Sequence, residues 1–301
     1  MTTTLTQAET APSAPGRPAV VAPSAFGGKK RTTPVPALAR RAAALAGSAV
    51  WKAAAILAFL ALWELGPTYL ASPSTRVFLP PLHEVLAAWG KLFEAGTIQG
   101  HIAASLTRSV AGFGAALVAG VALGLLIAWY GRLNSVLNPL LELFRNTAAL
   151  ALLPVFTLLL GIGEESKISI VAYAAFFPVL LNTIAGVKTV DPLLIRAARS
   201  LGLGNFRLFQ KVILPSAVPT IFTGIRMAGT ASILVLIAAE MVGAKAGLGY
   251  LIVNAQSSFL IPDMYAGILT VSLLGLAVNF LLVALERHFS RWRTAVGAGA
   301  A

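Results

Sequence analysis

The sequence predicts an all-α integral membrane protein with six transmembrane helices and a charged loop between spans four and five. Three observations predict it. Of 301 residues, 57% are hydrophobic and only 11% charged, against about 25% charge in a soluble domain. Mean hydropathy is +0.81, and several apolar runs reach the roughly 18 residues that cross a bilayer as a helix. Lys and Arg gather in segments that alternate with those runs, as they do on the inner flanks of membrane proteins.

The elements follow in order. Residues 1–48 are rich in Ala, Pro, Ser and Thr and carry Lys29, Lys30, Arg31, Arg40 and Arg41. They read as a disordered, basic cytoplasmic tail that cannot bury a core. Residues 49–100 hold the first span, about 51–70, then a periplasmic loop with "LPPLHEV" and a short amphipathic helix. Residues 101–286 read as the transmembrane core. Its spans fall near 108–129, 136–160, 168–187, 217–240 and 264–285. The second contains Gly120-x-x-x-Gly124, small residues that let helices approach closely. Pro139 and Pro154 interrupt the third, and Pro178 lies inside the fourth. Residues 287–301 read as a cytoplasmic C-terminal tail.

Orientation follows from cations. With both termini inside, sixteen of the twenty-three Lys and Arg lie on the cytoplasmic side and four (Arg76, Lys91, Lys167, Lys245) outside. That bias places both termini in the cytoplasm. It also explains the net charge of +12 without nucleic acid. With no Cys, disulfides and thiolate chemistry are excluded. His83, His101 and His288 lie far apart in the sequence and form no ligand cluster.

The loop "IRAARSLGLGNFRLFQKVILP", residues 195–215, is longer and more charged than a plain connector. Asp191 is a good N-cap and Pro192 a good first helical residue. Leu194, Ala198 and Leu201 share one face, and Arg196 and Arg199 another. Gly202 stops the helix in a left-handed conformation. Asn205 caps a second helix lined by Phe206, Phe209 and Ile213, with Arg207, Gln210 and Lys211 opposite, and Pro215 marks the turn into the fifth span. This is an elbow across the membrane surface. It serves either as an interfacial segment held by anionic lipid or as a docking surface with Phe206 and Phe209 as apolar anchors.

These residues carry a resemblance. Arg196-Ala197-Ala198, three residues, Gly202, nine residues, then Val212-Ile213-Leu214-Pro215 resembles the E-A-A loop of type I ABC importer permeases. "LFRNTAALALLPVFTLLLGIGEESKI" (143–168), "AARSLGLGNFRLFQKVILPSAVPTIFTGIRMA" (197–228) and "AEMVGAKAGLGYLI" (239–252) are similar to permeases for sulfonate, taurine and nitrate. Two departures stand out: Arg196 replaces the usual Glu, and Ala148 the usual Pro. The resemblance implies that this loop is the cytoplasmic coupling-helix loop. Arg196, Ala197, Ala198, Gly202, Phe206, Phe209, Leu214 and Pro215 would be the ATPase-coupling residues. It implies cytoplasmic P-loop ATPase subunits that hold ATP and Mg, an extracytoplasmic solute-binding protein, a second permease copy and alternating access. No cofactor is expected on this chain and no enzymatic activity of its own. No G-x-x-x-x-G-K-[ST] run occurs in the sequence.

Ionisable residues inside spans are costly and are functional candidates. Arg226 offers positive potential to an anion, or snorkels or pairs with another segment. Glu240 reads as a structural partner or gate element at the outer side. Arg145 and Asn146 line the path or cap a helix. Glu64 reads as interfacial, and Glu164-Glu165 as a solvated turn. The expected solute is a small anion, first an aliphatic sulfonate, then taurine, nitrate, bicarbonate or a heterocycle. The competing classes are an ion-coupled secondary transporter and a membrane scaffold.

Overall fold

The computed structural model describes residue 51, residues 53–70 and residues 72–289. The predicted N-terminal tail and residues 290–301 of the C-terminal tail lie outside the described residues. The chain divides into two compact units, Met1–Ile56 and Leu57–Ala301. In the first, the described residues are helical.

The described residues are helical throughout, joined by short turns. Helix α1 is Ala53–Tyr69, followed by α2 (Pro73–Phe78) and the amphipathic α3 (Leu82–Glu94). Next come α4 (Thr97–Trp129), α5 (Gly131–Arg145) and α6 (Ala149–Leu160). The rest are α7 (Glu164–Lys188), α8 (Pro192–Ser200), α9 (Asn205–Glu240), α10 (Leu248–Ser257) and α11 (Ile261–Phe289). Among the described residues, α4, α7, α9 and α11 are each long and apolar enough to cross a bilayer. They contain predicted spans two, four, five and six.

Helix α7 is the hub, with α4 and α9 packed along it. The reason is written in α4. Its buried positions include Gly112, Ala116, Gly120 and Gly124, one stripe at every fourth residue. A Cβ on Gly124 would lie 2.7 Å from Thr183 Cβ and 3.0 Å from the Leu180 carbonyl oxygen. Only glycine permits this backbone approach. Val179 and Ala175 of α7 and Ala228 of α9 complete the seam.

The helix that holds the second span is longer than the span: α4 starts at Thr97, with Gln99, His101, Ser105 and Arg108 helical as well. The third span is interrupted as expected, but between the two prolines, since Pro139 lies inside α5. Helices α5 and α6 meet at 84° across residues 146–148. Asn146 Nδ2 donates to the Glu142 carbonyl at 2.7 Å and Thr147 Oγ1 to that of Leu143 at 3.2 Å. These side chains satisfy α5's last carbonyls, and Pro154 has no N–H with which to continue a ladder.

Candidate functional site

The elbow is built as its local chemistry dictates. Asp191 Oδ1 accepts from the Leu193 N–H at 2.8 Å, and Pro192 opens α8. Gly202 ends it at φ +78°, its N–H donating to the Arg199 carbonyl at 2.9 Å. The Leu203 N–H reaches back to the Ala198 carbonyl at 3.2 Å. Ala198, Val190, Leu208 and Ile213 form a small core, sealed by Ile195, Leu203 and Phe209.

Several expectations differ here. The packed face of α8 is Ile195 and Ala198, not Leu194 and Leu201, which are 51% and 80% exposed. Gly204, not Asn205, holds the N-cap position of the next helix. Pro215 marks no turn, since α9 runs unbroken from Asn205 to Glu240. A π-helical stretch, Phe209–Ile213, precedes the proline, and the Leu214 N–H donates to the Phe209 carbonyl five residues back. That wider turn makes room for a ring that would clash in a regular helix. Leu214 and Pro215 are half-buried at the base of the long helix.

The outer surface of the elbow is both charged and apolar. Arg196, Ala197, Arg199, Arg207 and Lys211 are exposed, and the cations form no ion pair among the described residues. Leu193, Leu194, Leu201 and Phe206 are exposed between them. Phe206 and Phe209 part company. Phe206 is 77% exposed, whereas Phe209 packs edge-on against Trp129 of α4 at 5.1 Å.

At the opposite ends of α4 and α9 lies a second constellation, gathered from four helices. Arg108 Nη1 donates to Glu240 Oε1 and to the Ala246 carbonyl, each at 2.7 Å. Arg108 Nη2 donates to Glu164 Oε1 at 2.6 Å, and Arg108 Nε to Glu164 Oε2. Ser105 Oγ bonds the Glu240 carboxylate at 2.8 and 2.9 Å and accepts from the Leu248 N–H at 2.9 Å. The Gly249 N–H reaches Glu240 Oε2 at 3.0 Å, and the Gly247 N–H reaches His101 Nδ1 at 3.1 Å. Lys167 Nζ donates to the Gly163 carbonyl at 3.0 Å. Arg108, Lys167, Ser105 and Glu240 are all buried. Two cations therefore face two carboxylates with no net charge, the condition under which buried ions are tolerated. Gly247 sits at φ +120°, and a Cβ there would meet the Glu240 carboxylate.

The predicted path residues are not brought together. Glu240 belongs to this network. Arg226 pairs with Glu286 of α11 at 3.0 Å. Arg145 pairs with Glu142 at 2.9 Å on the exposed side of α5, and Asn146 caps that helix. Glu64 accepts from the His83 N–H at 3.1 Å and lies 2.7 Å from His83 Nδ1. Glu164 is no solvated turn: it is the first residue of α7 and grips Arg108. The sequence reading missed Arg108, Ser105 and His101. Their signal was present, since 101, 105 and 108 continue the 112–116–120–124 stripe by one helical face. Among the described residues no group of His, Asp and Glu suits a metal ion.

Comparison with known proteins completes the assignment. Residues 120–294 match the family described as binding-protein-dependent transport system inner membrane component. The chain is 36% identical over 235 residues to a taurine transport system permease protein of Escherichia coli, covering 76% of this chain and 84% of that one. It is 33% identical to a putative aliphatic sulfonates transport permease protein of Bacillus subtilis, covering 78% and 84%. It is 31% identical to a bicarbonate transport system permease protein of Synechococcus elongatus, covering 79% and 88%. A chain of the inward-facing MetNI methionine ABC transporter shares the fold at TM-score 0.55 and 19% identity, over 64% of this chain and 95% of that one. The chain thus belongs to the binding-protein-dependent transport system inner membrane components, the multi-pass permeases of type I ABC importers.

Proposed function

We propose that this permease moves a small anion, first an aliphatic sulfonate, inward across the cytoplasmic membrane by alternating access. Taurine, nitrate and bicarbonate are the next candidates. The relatives' names support the class: taurine, aliphatic sulfonates and bicarbonate share a compact anionic oxygen group. The observation that carries the coupling role is the elbow. It presents Arg196, Arg199, Arg207 and Lys211 around exposed Leu193, Leu201 and Phe206. Apolar anchors ringed by charge suit a protein partner of opposite potential. That partner is a cytoplasmic P-loop ATPase subunit, which carries the ATP and Mg. Both termini are then cytoplasmic, and the Arg108–Glu240 network faces outward, where a solute-binding protein delivers its cargo. A second copy of the permease completes the path.

In mechanism, nucleotide-driven closure of the ATPases moves the elbows as rigid bodies. Helix α9 is continuous from the elbow to Glu240, about 54 Å at 1.5 Å per residue, and carries the motion across the membrane. Arg226 on α9, and Arg145 and Asn146 at the end of α5, would contribute to the path. Uptake of radiolabelled taurine and methanesulfonate into proteoliposomes holding permease, ATPase and binding protein tests this. Uptake should need ATP inside the ATPase-facing compartment. Uptake driven by an ion gradient without ATP would favour the secondary transporter instead.

A further inference from the structure

We propose that the open edge of the Arg108 guanidinium, with Lys167 beside it, is a binding site for a small oxyanion, and that Glu164 fills it in this conformation. The physiological ligand rests on the anionic-solute reading above.

The two carboxylates on Arg108 are not equivalent. Glu240 is a fixed counter-charge: its side chain is fully buried and held by Ser105 and the Gly249 N–H. The Glu164 side chain is 62% exposed. Among the described residues it is hydrogen-bonded to Arg108 alone. It begins α7 directly after Gly161-Ile162-Gly163, with Gly161 at φ +81°. The cations beneath it are the reverse, with Arg108 4% and Lys167 3% exposed. With Glu164 swung away, Arg108, Lys167 and Glu240 keep one net positive charge. Nε and Nη2 would then face solvent as a planar fork spaced for two oxygens. Carboxylate, bicarbonate and sulfonate each offer that pair. While Glu164 is tethered there, its high effective concentration excludes dilute anions, so the site opens only when the residue moves. It lies at the end opposite the elbow, where the solute is proposed to enter.

Chemical rescue tests this on the purified permease in detergent. In sodium chloride, Glu164→Ala should melt below the native chain. Sodium acetate or methanesulfonate at matched ionic strength should raise its Tm by roughly 3 to 5 °C at about ten times the Kd. Neither salt should lift the native chain, and Glu164→Gln, whose one carbonyl oxygen meets only one of the two guanidinium N–H groups, should rise less than Glu164→Ala. A rise no greater than chloride gives, or an equal rise in all three proteins, overturns the site. The chain lacks cysteine, so Glu164→Cys gives an independent reading. A sulfonate-bearing methanethiosulfonate should modify it faster than a trimethylammonium one, each relative to its rate with a free thiol. The opposite order overturns the site. ATP-driven anion uptake without the anion-specific shift removes this site and leaves the transport function standing. The shift with uptake of neutral or cationic solutes alone keeps the site and removes the anionic substrate.

Discussion

Replacing Glu240 by alanine leaves Arg108, only 4% exposed, with one carboxylate where it had two. It also strands the Ser105 hydroxyl and the Gly249 N–H, both bonded to the lost oxygens. Removing one partner of a buried ion pair costs about 3–5 kcal/mol. The stranded donors push toward the upper end and the surviving Glu164 toward the lower, and the terms do not add independently. Each kcal/mol moves the melting temperature of a chain this size by about 2–4 °C, so we expect a fall of roughly 10 °C. Thermal unfolding in detergent, followed by tryptophan fluorescence, reads it. Glu286→Ala is the internal comparison. Its pairing with Arg226 is a little longer, 3.0 Å against 2.7 Å, and the two side chains are 39% and 23% exposed. A partly exposed pair is worth less than a fully buried one, so the fall should be the smaller of the two. The reasoning fails if Glu240→Ala melts within about 2 °C of the native chain, or if Glu286→Ala falls further.

Three more outcomes follow from the same geometry. Gly124→Ala forces a methyl against Thr183 and should destabilise by about 1–3 kcal/mol. Gly114→Ala, with nothing within 4 Å, should melt like the native chain, and paired melting curves check both. Gly202→Pro imposes a negative φ where the backbone holds +78° and deletes the N–H bonded to Arg199; circular dichroism should stay helical while ATP-driven uptake is lost. Arg196→Glu changes an exposed side chain that has no ion pair among the described residues and restores the residue usual in the loop that this one resembles, so melting should not move and uptake should stay within about threefold.

The long-range plan was legible because it is a matter of composition. Spans two, four, five and six are long apolar runs that Pro178 and Arg226 do not divide, and Gly120-x-x-x-Gly124 announced the close α4–α7 seam. Asp191, Pro192 and Gly202 act on their own neighbours, so the start and stop of α8 could be read directly. What failed was non-local or compensated. Arg108 lies 132 residues from Glu240 and 56 from Glu164, and no local spacing reports such a meeting. Hydropathy did not show that the helix of the second span reaches back to Thr97, because Gln99, His101 and Ser105 are polar, yet the bundle itself satisfies His101 and Ser105. Pro215 looked like a break, but the π-helical turn before it absorbs the ring. Phe206 and Phe209 looked alike as anchors until Trp129, 80 residues away, claimed one of them.

The central claim is that the elbow is the joint to the ATPase. Leu201, 80% exposed at the tip of α8, tests it most directly, because Leu201→Cys would be the chain's single thiol. In membranes that also hold the ATPase with one cysteine on its permease-facing surface, a short bifunctional thiol reagent should join the two. The yield should change when ATP is added. If Leu201→Cys remains reactive from the cytoplasm, crosslinks to no ATPase and still supports ATP-driven uptake, the elbow is not the coupling joint.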